Sequence, residues 1–519
     1  MAPVTDEEWA DLVAHEIPKT SDPALSPIAN HACDIVSKIR HEETRSARLT
    51  TPKETAKSWQ IIRRMPKGAL LRAHCHSLVD IDHLIKAALS TPGMCISCPN
   101  GHLATQHAGR EGRLRIQFRA KPDSDDGSFW NDNYKPGTFI ALSKAAADYP
   151  EGGRQGFLEW LRGRCGISTQ DSNPRESRTA SPVRSEDVSG MLYYEPIWRA
   201  FLQRLMTALV EDGVYWLELR LTFPLAYYRE GSESPDPDHD HLFQAIGEEV
   251  ARFQATDPGR QFWGLRVVWS TMRGQDPRSI IEDADNCISA KLLWPQLVAG
   301  YDLAGPENLG RPLADLLPEL FWFRKQCALE DVQIPFFLRA GGSLGDAAAA
   351  ATETNLFDAL LLGTRRIGNA VALHRHPRLV EAIKDKRILV EAFPASNDGP
   401  DPIPDSVMHH PLPALLAQGV SCALCDDDSG ILSSKQDGGP RMTNIFWHAF
   451  QTWDSTDLAT LGSLAENSVR WAAFEDQDSE TCAREGIERR ANEITGLEGA
   501  RQYGDAFGDG SDGDTDPAE

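Results

Sequence analysis

A repeated alternation of short apolar segments and amphipathic helices is the feature that most constrains this 519-residue chain. From position 69 onward, eight segments rich in apolar residues follow one another. Strands buried on both faces have nearly continuous apolar sequences, so these segments are predicted to be parallel strands. They are Ala69–His76, Tyr215–Thr222, Leu265–Thr271, Val298–Gly305, Pro335–Gly341, Arg366–Leu373, Ile388–Pro394 and Ser421–Asp428.

The segments between these strands have the period of an amphipathic helix. Leu202, Leu205 and Leu209 lie on one face before the second strand, and Leu313 and Leu320 do the same before the fifth. Eight strand–helix units predict an α/β fold, a (β/α)8 TIM-type barrel. A doubly wound open sheet is the alternative, but no glycine-rich phosphate fingerprint follows the first strand.

Several stretches lie outside this alternation. Residues 1–60 are predicted to form an N-terminal helical extension, and 61–490 the barrel. Residues 85–195 form a long insertion after the first strand. Residues 500–519 are predicted to be a disordered acidic tail, because Asp505–Glu519 carries six acids and no base.

Net charge and hydropathy exclude several classes of partner. The net charge of −23 argues against nucleic-acid binding, which needs a basic face to meet the phosphates. No apolar run approaches the roughly 18 residues of a membrane span. Met1–Thr20 lacks the pattern of a secretory signal, so a cytoplasmic location is expected.

The ten cysteines fit reduced thiols, and the pairs Cys95/Cys98 and Cys422/Cys425 are predicted to be small buried residues.

The ends of the predicted strands carry polar residues. In a barrel of this kind, the site is built at the carboxyl ends of the strands. The first strand ends at Arg72-Ala73-His74-Cys75-His76 and the fifth at Arg339-Ala340-Gly341-Gly342. Asn369 lies in the sixth strand, and the eighth ends at Asp426-Asp427-Asp428. Adjacent buried carboxylates require a cation or hydrogen-bond donors, whereas in solvent they would form an ordinary turn.

Five sequence blocks resemble one enzyme family. They are Met65–Leu71, Gly300–Glu307, Phe321–Cys327, Ile334–Ser343 and His410–Leu416. Together they are similar to the adenosine deaminases of the amidohydrolase superfamily, in the branch called adenosine deaminase-related growth factors. The resemblance runs from about residue 55 to 480. It implies hydrolytic deamination of adenosine to inosine by a water bound to one zinc ion, together with a proton-transferring glutamate.

The resemblance also assigns roles to positions of this chain. The zinc histidines of the family fall on Arg72, His74 and Arg339, so only His74 is kept. The catalytic glutamate falls on Gly342, and a second catalytic histidine on Asn369. The family aspartates are retained as Asp427, a metal ligand, and Asp428, a contact to the substrate base. Both proton-handling residues and two of the four ligands are therefore replaced, and the zinc site is predicted to be degenerate.

The two arginines suggest how the fold tolerates this loss. A guanidinium has no lone pair for zinc and stays protonated, so neither arginine can be a ligand. Arg72 and Arg339 add two positive charges, which equals the charge of a zinc ion. We therefore expect them to replace the metal electrostatically, paired with Asp427 and Asp428. Zinc is then expected to be absent or weakly bound.

A relocated metal site is the alternative. His74 and His76 are two residues apart, which in a continuous strand would place both side chains on the same face. With Asp427 or Cys425 they would form a new ligand set, although no acid on the fifth strand would replace the missing glutamate.

Two functions follow from these readings. The first is a catalytically inactive member of the family that binds a purine nucleoside or a partner chain. The second is an active purine nucleoside deaminase or hydrolase with an altered or relocated metal site. The resemblance also raises the expectation of a homodimer formed through the N-terminal and insertion helices.

Overall fold

The computed structural model describes residues 25–46, 53–99, 114–124, 128–131, 133–165, 188–305, 307, 310–342, 347–394, 410–426 and 441–474. All eight predicted strands are found within these residues. They are β1 Gly68–His74, β5 Val214–Phe223, β6 Gly264–Met272, β7 Val298–Ala304, β8 Phe337–Ala340, β9 Arg366–Asn369, β10 Leu389–Ala392 and β11 Cys422–Leu424. The other strands, β2 Met94–Ser97, β3 Arg115–Phe118 and β4 Ile140–Ala141, belong to the insertion.

The eight strands run parallel in chain order. One sheet has the order β1-β5-β6-β7 and the other has the order β8-β9-β10-β11. A parallel bridge between Tyr301 and Phe336 joins the two sheets at the β7–β8 boundary. At the opposite boundary, Ala69 and Leu71 of β1 pack in one apolar cluster with Leu389 and Ala423. The architecture is thus a (β/α)8 fold, with hydrogen bonding open between β11 and β1 in the described residues.

Helices cover the outside of these strands. They are α1 Pro27–Ser46, α2 Lys57–Arg64, α3 Ile81–Ser90, α4 Leu142–Ala147, α5 Gly153–Cys165, α6 Glu195–Glu211, α7 Asp240–Gln254, α8 Pro277–Leu293, α9 Leu313–Leu329, α10 Ala347–Leu361, α11 Pro377–Asp385, α12 Leu412–Ala417, α13 Arg441–Thr452 and α14 Leu458–Arg470. Local signals set their starts: Asp276 accepts hydrogen bonds from the first turn of α8, and Pro277 follows it. None of the described helices is long and apolar enough to cross a membrane.

The N-terminal extension and the insertion both pack against the barrel. Arg40 of α1 donates hydrogen bonds to the backbone carbonyls of Phe450, Trp453 and Thr456, which ties α1 to the end of α13. In the insertion, β2 pairs antiparallel with β3 and β4, and α5 packs against α3 and α4. The predicted tail, residues 500–519, lies outside the described residues. Cys95, Cys98, Cys422 and Cys425 are buried and form no disulfide, as predicted.

A buried polar chain links β6, β7 and α8. The Tyr301 hydroxyl donates to Thr271 Oγ1 at 2.8 Å, and the Thr271 hydroxyl donates to the Asp283 carboxyl. Asp283 is only 4% exposed, and its second oxygen has no hydrogen-bond partner in the part of the chain that the structure describes. Burial therefore raises the pKa of Asp283 to about 6, although the hydrogen bond from Thr271 opposes the shift.

This carboxyl should make stability depend on pH. Because its folded pKa lies above the unfolded value, its contribution is complete below about pH 4 and is lost as pH rises through 6. We expect Asp283→Asn to remove this loss and to raise the free energy of unfolding at pH 8 by about 2–3 kcal/mol relative to the wild type. Urea unfolding at pH 4.5 and pH 8 measures the effect. Asp285→Asn, at an exposed position of the same helix, should not change it.

Candidate functional site

Four of the predicted site positions meet at the carboxyl ends of the strands. Arg339 lies opposite Gly368 in the pairing of β8 with β9, and Ala340 lies opposite Asn369. A Cβ atom placed on Gly368 would lie 2.7 Å from Arg72 Nη1, and one on Gly342 would lie 2.9 Å from Asn369 Nδ2. The structure therefore brings Arg72, Arg339, Gly342 and Asn369 together, as the sequence predicted. We call this region the barrel mouth.

A bulge in β1 directs Arg72 into the barrel. Leu70 pairs with Leu217 and Ala73 with Leu219, so β1 advances one residue more than β5 between these pairs. The extra residue changes the side-chain alternation. Leu71 belongs to the inner apolar cluster, and Arg72 contacts the ring of Phe393 from that same cluster at 5.8 Å. Arg72 is consequently 1% exposed, although it carries a full charge.

The described ion-pair partners of Arg72 are Asp302 on β7 and Glu391 on β10. Arg72 Nη2 lies 3.0 Å from Asp302 Oδ2, and Nη1 lies 3.3 Å from Glu391 Oε2. Asp427 and Asp428, the partners predicted for it, lie outside the described residues. Among the described residues, Asp302 and Glu391, which sequence reasoning did not assign, neutralise Arg72, and the pairing with Asp427 and Asp428 stays a prediction. The signal for Asp302 and Glu391 was a charged residue within an otherwise apolar strand, which must find an opposite charge when buried.

Arg72 is part of a larger buried network of six charges. Arg220 Nε lies 2.8 Å from Asp302 Oδ2, and Arg366 Nε lies 2.8 Å from Glu391 Oε1. Arg366 also pairs with Glu218, which accepts the backbone N–H of Ala473 at 2.6 Å. We call this set the core charge network; it contains the guanidinium groups of Arg72, Arg220 and Arg366 and the carboxylates of Glu218, Asp302 and Glu391.

Within the described part of the chain, three cations meet three anions in the core charge network, so these groups balance one another. Burial opposes ionisation of Asp302, but Arg72 and Arg220 outweigh it and hold the pKa of this carboxyl below its usual value. Burial likewise disfavours charged Glu218, and Arg366 reverses the effect and lowers its pKa. Arg72 is therefore needed for the charge balance. Without it, two guanidinium groups would face three buried carboxylates.

His74 and His76 do not form the pair that the sequence suggested. Strand β1 ends at His74, and the chain turns into a 3-10 helix at Cys75–Leu78, so the strand alternation does not extend to His76. His74 lies near Asp302, whereas His76 Nε2 lies 3.0 Å from Ser189 Oγ in the insertion. Burial lowers the pKa of His76 to about 4 and keeps the ring neutral. The prediction that both side chains share one face of a strand is wrong.

The described residues of the mouth do not suit zinc. Within the described ranges, no three His, Cys, Asp or Glu side chains stand close enough together to hold a metal ion. Two of the positions that the resemblance assigns to zinc histidines carry guanidinium groups, and one of them, Arg72, already neutralises Asp302 and Glu391. A divalent cation placed beside Arg72 would meet a buried positive charge, which is unfavourable.

A side chain at Gly342 would require the side chains of Asn369 and Glu307 to shift. A Cβ atom there would lie 2.9 Å from Asn369 Nδ2 and 3.4 Å from Glu307 Oε1. We expect Gly342→Glu to lower the free energy of unfolding by about 1–3 kcal/mol and to yield no deaminase activity, because it overpacks the mouth and adds a carboxylate beside Glu307. Thermal unfolding and an adenosine assay check this. Gly274→Glu is the control, since a Cβ there would meet nothing within 4 Å.

Comparisons with known proteins agree with this fold. No family model matches the sequence. An adenosine deaminase of Lutzomyia longipalpis is 26% identical over 487 residues, which span 92% of this chain and 84% of that protein. Adenosine deaminase 2 of Sus scrofa is 28% identical over 447 residues, spanning 84% of this chain and 80% of that protein. This chain is similar to adenosine deaminases over most of its length. The predicted family resemblance is thereby confirmed.

Solved structures show the same fold at lower identity. The structure of Arabidopsis ADAL complexed with IMP superposes with a TM-score of 0.53 at 14% identity, covering 86% of this chain and 99% of that chain. An amidohydrolase of Burkholderia ambifaria with bound Zn superposes with a TM-score of 0.51 at 16% identity, covering 86% of this chain and 95% of that one. Zinc is thus present in a protein of this fold, while this relative of the adenosine deaminases has Arg72 and Arg339 at positions where its family resemblance implies ligands.

Proposed function

We propose that this adenosine deaminase relative binds purine nucleosides at the barrel mouth without deaminating them. The observation that carries the proposal is the buried Arg72, held between Asp302 and Glu391 at a position that the resemblance assigns to a zinc ligand. The guanidinium supplies positive charge where the family has a metal, but it cannot bind a water and lower the pKa of that water.

The replacement of Gly342 and Asn369 supports the same conclusion. The resemblance assigns proton transfer to these two positions, and neither side chain can accept or deliver a proton here. Loss of one such group costs about 10²–10⁴-fold in rate, and loss of metal activation adds to it. Retention of the barrel and of its polar mouth supports binding. The IMP complex of ADAL indicates that a related barrel accommodates a purine ligand.

Two measurements on the full chain test the proposal. Isothermal titration at pH 7.5 should detect binding of at least one purine nucleoside. Incubation with adenosine and added zinc should leave the adenosine absorbance spectrum unchanged. Conversion to inosine that is abolished in Asp427→Ala would contradict the proposal in favour of an active deaminase. If the protein binds none of inosine, guanosine and adenosine, the proposed purine binding is wrong.

The homodimer and the cytoplasmic location implied by the sequence remain predictions. Sedimentation equilibrium of the full chain measures the first, and a fluorescent fusion in the native cell measures the second.

A further inference from the structure

Two buried charged side chains at the barrel mouth have hydrogen-bonding atoms with no partner. Arg273 directly follows β6 and is 1% exposed, and its Nε and Nη1 have no hydrogen-bond partner among the described residues. Glu307 follows β7 and is 9% exposed, and within the described ranges its Oε1 also has no partner. Buried polar atoms in proteins are almost always satisfied, because leaving one unpaired is costly. A cation and an anion in this state at one site therefore point to a missing ligand.

One side of each group is firmly held by the protein. Arg273 Nη2 donates to the carbonyl oxygen of Arg339 at 3.3 Å, and the Arg273 backbone N–H donates to Ala304 O at 3.0 Å. Glu307 Oε2 accepts from the backbone N–H of Gly341 at 3.0 Å and from Asn355 Nδ2 at 3.3 Å. These bonds fix both side chains, so that the unsatisfied atoms of each have a defined position.

Both groups contact the carboxyl end of β8, because Arg273 donates to Arg339 O and Glu307 accepts from the backbone N–H of Gly341. Glu307 Oε1 lies 3.4 Å from where a Cβ of Gly342 would stand, and Arg339 Nε lies 3.8 Å from the same point. The unpaired oxygen of Glu307 therefore lies beside Gly342 in the barrel mouth. Burial lowers the pKa of Arg273, and Glu307 is the nearby charge that most opposes this shift. The two groups thus attract each other but make no hydrogen bond to one another.

We propose that Arg273 and Glu307 recognise the N1–O6 edge of a 6-oxopurine, such as the base of inosine or guanosine; this rests on the proposed purine binding. The guanidinium donates to O6, and the carboxylate accepts the N1–H. A 6-oxopurine offers an acceptor and a donor side by side, which matches one cation and one anion. Adenine offers the reverse pattern, with a lone pair at N1 and an amino group at C6.

Adenosine is therefore rejected by two mismatches. Its N1 lone pair would face the carboxylate, and its amino group would face the guanidinium, so both buried charges would stay unpaired. The protein would discriminate against adenosine because the adenosine complex leaves buried charged groups without hydrogen-bond partners, which is costly. The proposal makes the protein selective for the deaminated form of the base that its family deaminates.

Titration with three nucleosides tests the pattern directly. We expect inosine to bind the full chain at pH 7.5 at least about tenfold more tightly than adenosine, the factor expected for one hydrogen bond to a charged group. 1-Methylinosine keeps O6 but lacks the N1–H, and it should bind at least about tenfold more weakly than inosine. Equal affinity for inosine and adenosine would overturn this inference and leave purine binding intact. If no purine binds, both the 6-oxopurine preference and the proposed purine binding are wrong. Turnover of adenosine would contradict only the proposed function.

Matched variants connect the preference to the two side chains. Glu307→Gln and Arg273→Met should each reduce the preference for inosine over adenosine by about tenfold or more. Glu319→Gln is the control, because Glu319 is also buried with one unpaired oxygen but lies on α9 outside the mouth. Arg273→Met should unfold at a lower temperature than the wild type, because it leaves the buried carboxylate of Glu307 without the cation near it. If Arg273→Met does not fold, Glu307→Gln provides the test. An unchanged preference for inosine over adenosine in Glu307→Gln would overturn the inference.

Discussion

Replacing Arg72 with methionine is expected to lower the free energy of unfolding by about 3–5 kcal/mol at pH 7.5. The guanidinium is buried and pairs with Asp302 and Glu391. Its loss leaves the core charge network with one uncompensated negative charge in an interior that cannot solvate it. Methionine roughly fills the volume, so the effect measures charge more than packing. Urea unfolding followed by tryptophan fluorescence provides the measurement.

The control is an ion pair of the same type at the surface. Arg119 Nη1 lies 2.9 Å from Glu233 Oε2, and both side chains are partly exposed. Arg119→Met should therefore cost only about 0–1 kcal/mol. A loss of similar size in Arg72→Met would mean that Arg72 is not required to neutralise the core carboxylates, and the account of its role would be wrong.

Replacing Glu391 with glutamine is expected to have an effect of similar size, about 3–5 kcal/mol, for the opposite reason. Glu391 accepts hydrogen bonds from Arg72, Arg220 and Arg366. Its neutralisation leaves three guanidinium groups facing two carboxylates. The double variant Arg72→Met/Glu391→Gln restores the balance at two charges of each sign. We expect it to be more stable than the sum of the single losses predicts, by about 0.5–3 kcal/mol.

The double-mutant cycle separates charge balance from other effects. Additive losses in the cycle would show that the two residues act independently, despite the 3.3 Å between Arg72 Nη1 and Glu391 Oε2. A double variant that loses more than both single variants together would point to packing damage at the bulge of β1. Either result would contradict the view of the network as a balanced unit.

The strand pattern was predictable because it depends on local sequence. All eight strands lie within or overlap the predicted segments, since parallel strands buried on both faces require apolar runs. The ends were less accurate. The prediction Ala69–His76 continued two residues beyond His74, because His76 has the spacing of a strand residue while the chain turns at Cys75. That turn is the reason why the His74/His76 pair failed.

Site residues could be predicted from the sequence only where a motif fixed their position in a strand. Arg72, Arg339, Gly342 and Asn369 meet because each follows from the register of a strand. The partners of Arg72 could not be assigned, because Asp302 and Glu391 lie 230 and 319 residues further along the chain. Arg273 gave no sequence signal, and Glu307 was noted only as the last residue of a block that carries the resemblance. What marks these two residues is that some of their buried atoms have no hydrogen-bond partner among the described residues, and the sequence alone cannot show this.

The most direct test of the central claim is the zinc content of the full-length protein after incubation with excess zinc and exhaustive dialysis, measured by plasma mass spectrometry. If guanidinium groups have replaced the ion, the protein should retain far less than one zinc per chain. One zinc per chain, retained through dialysis and lost in Asp427→Ala, would contradict the account.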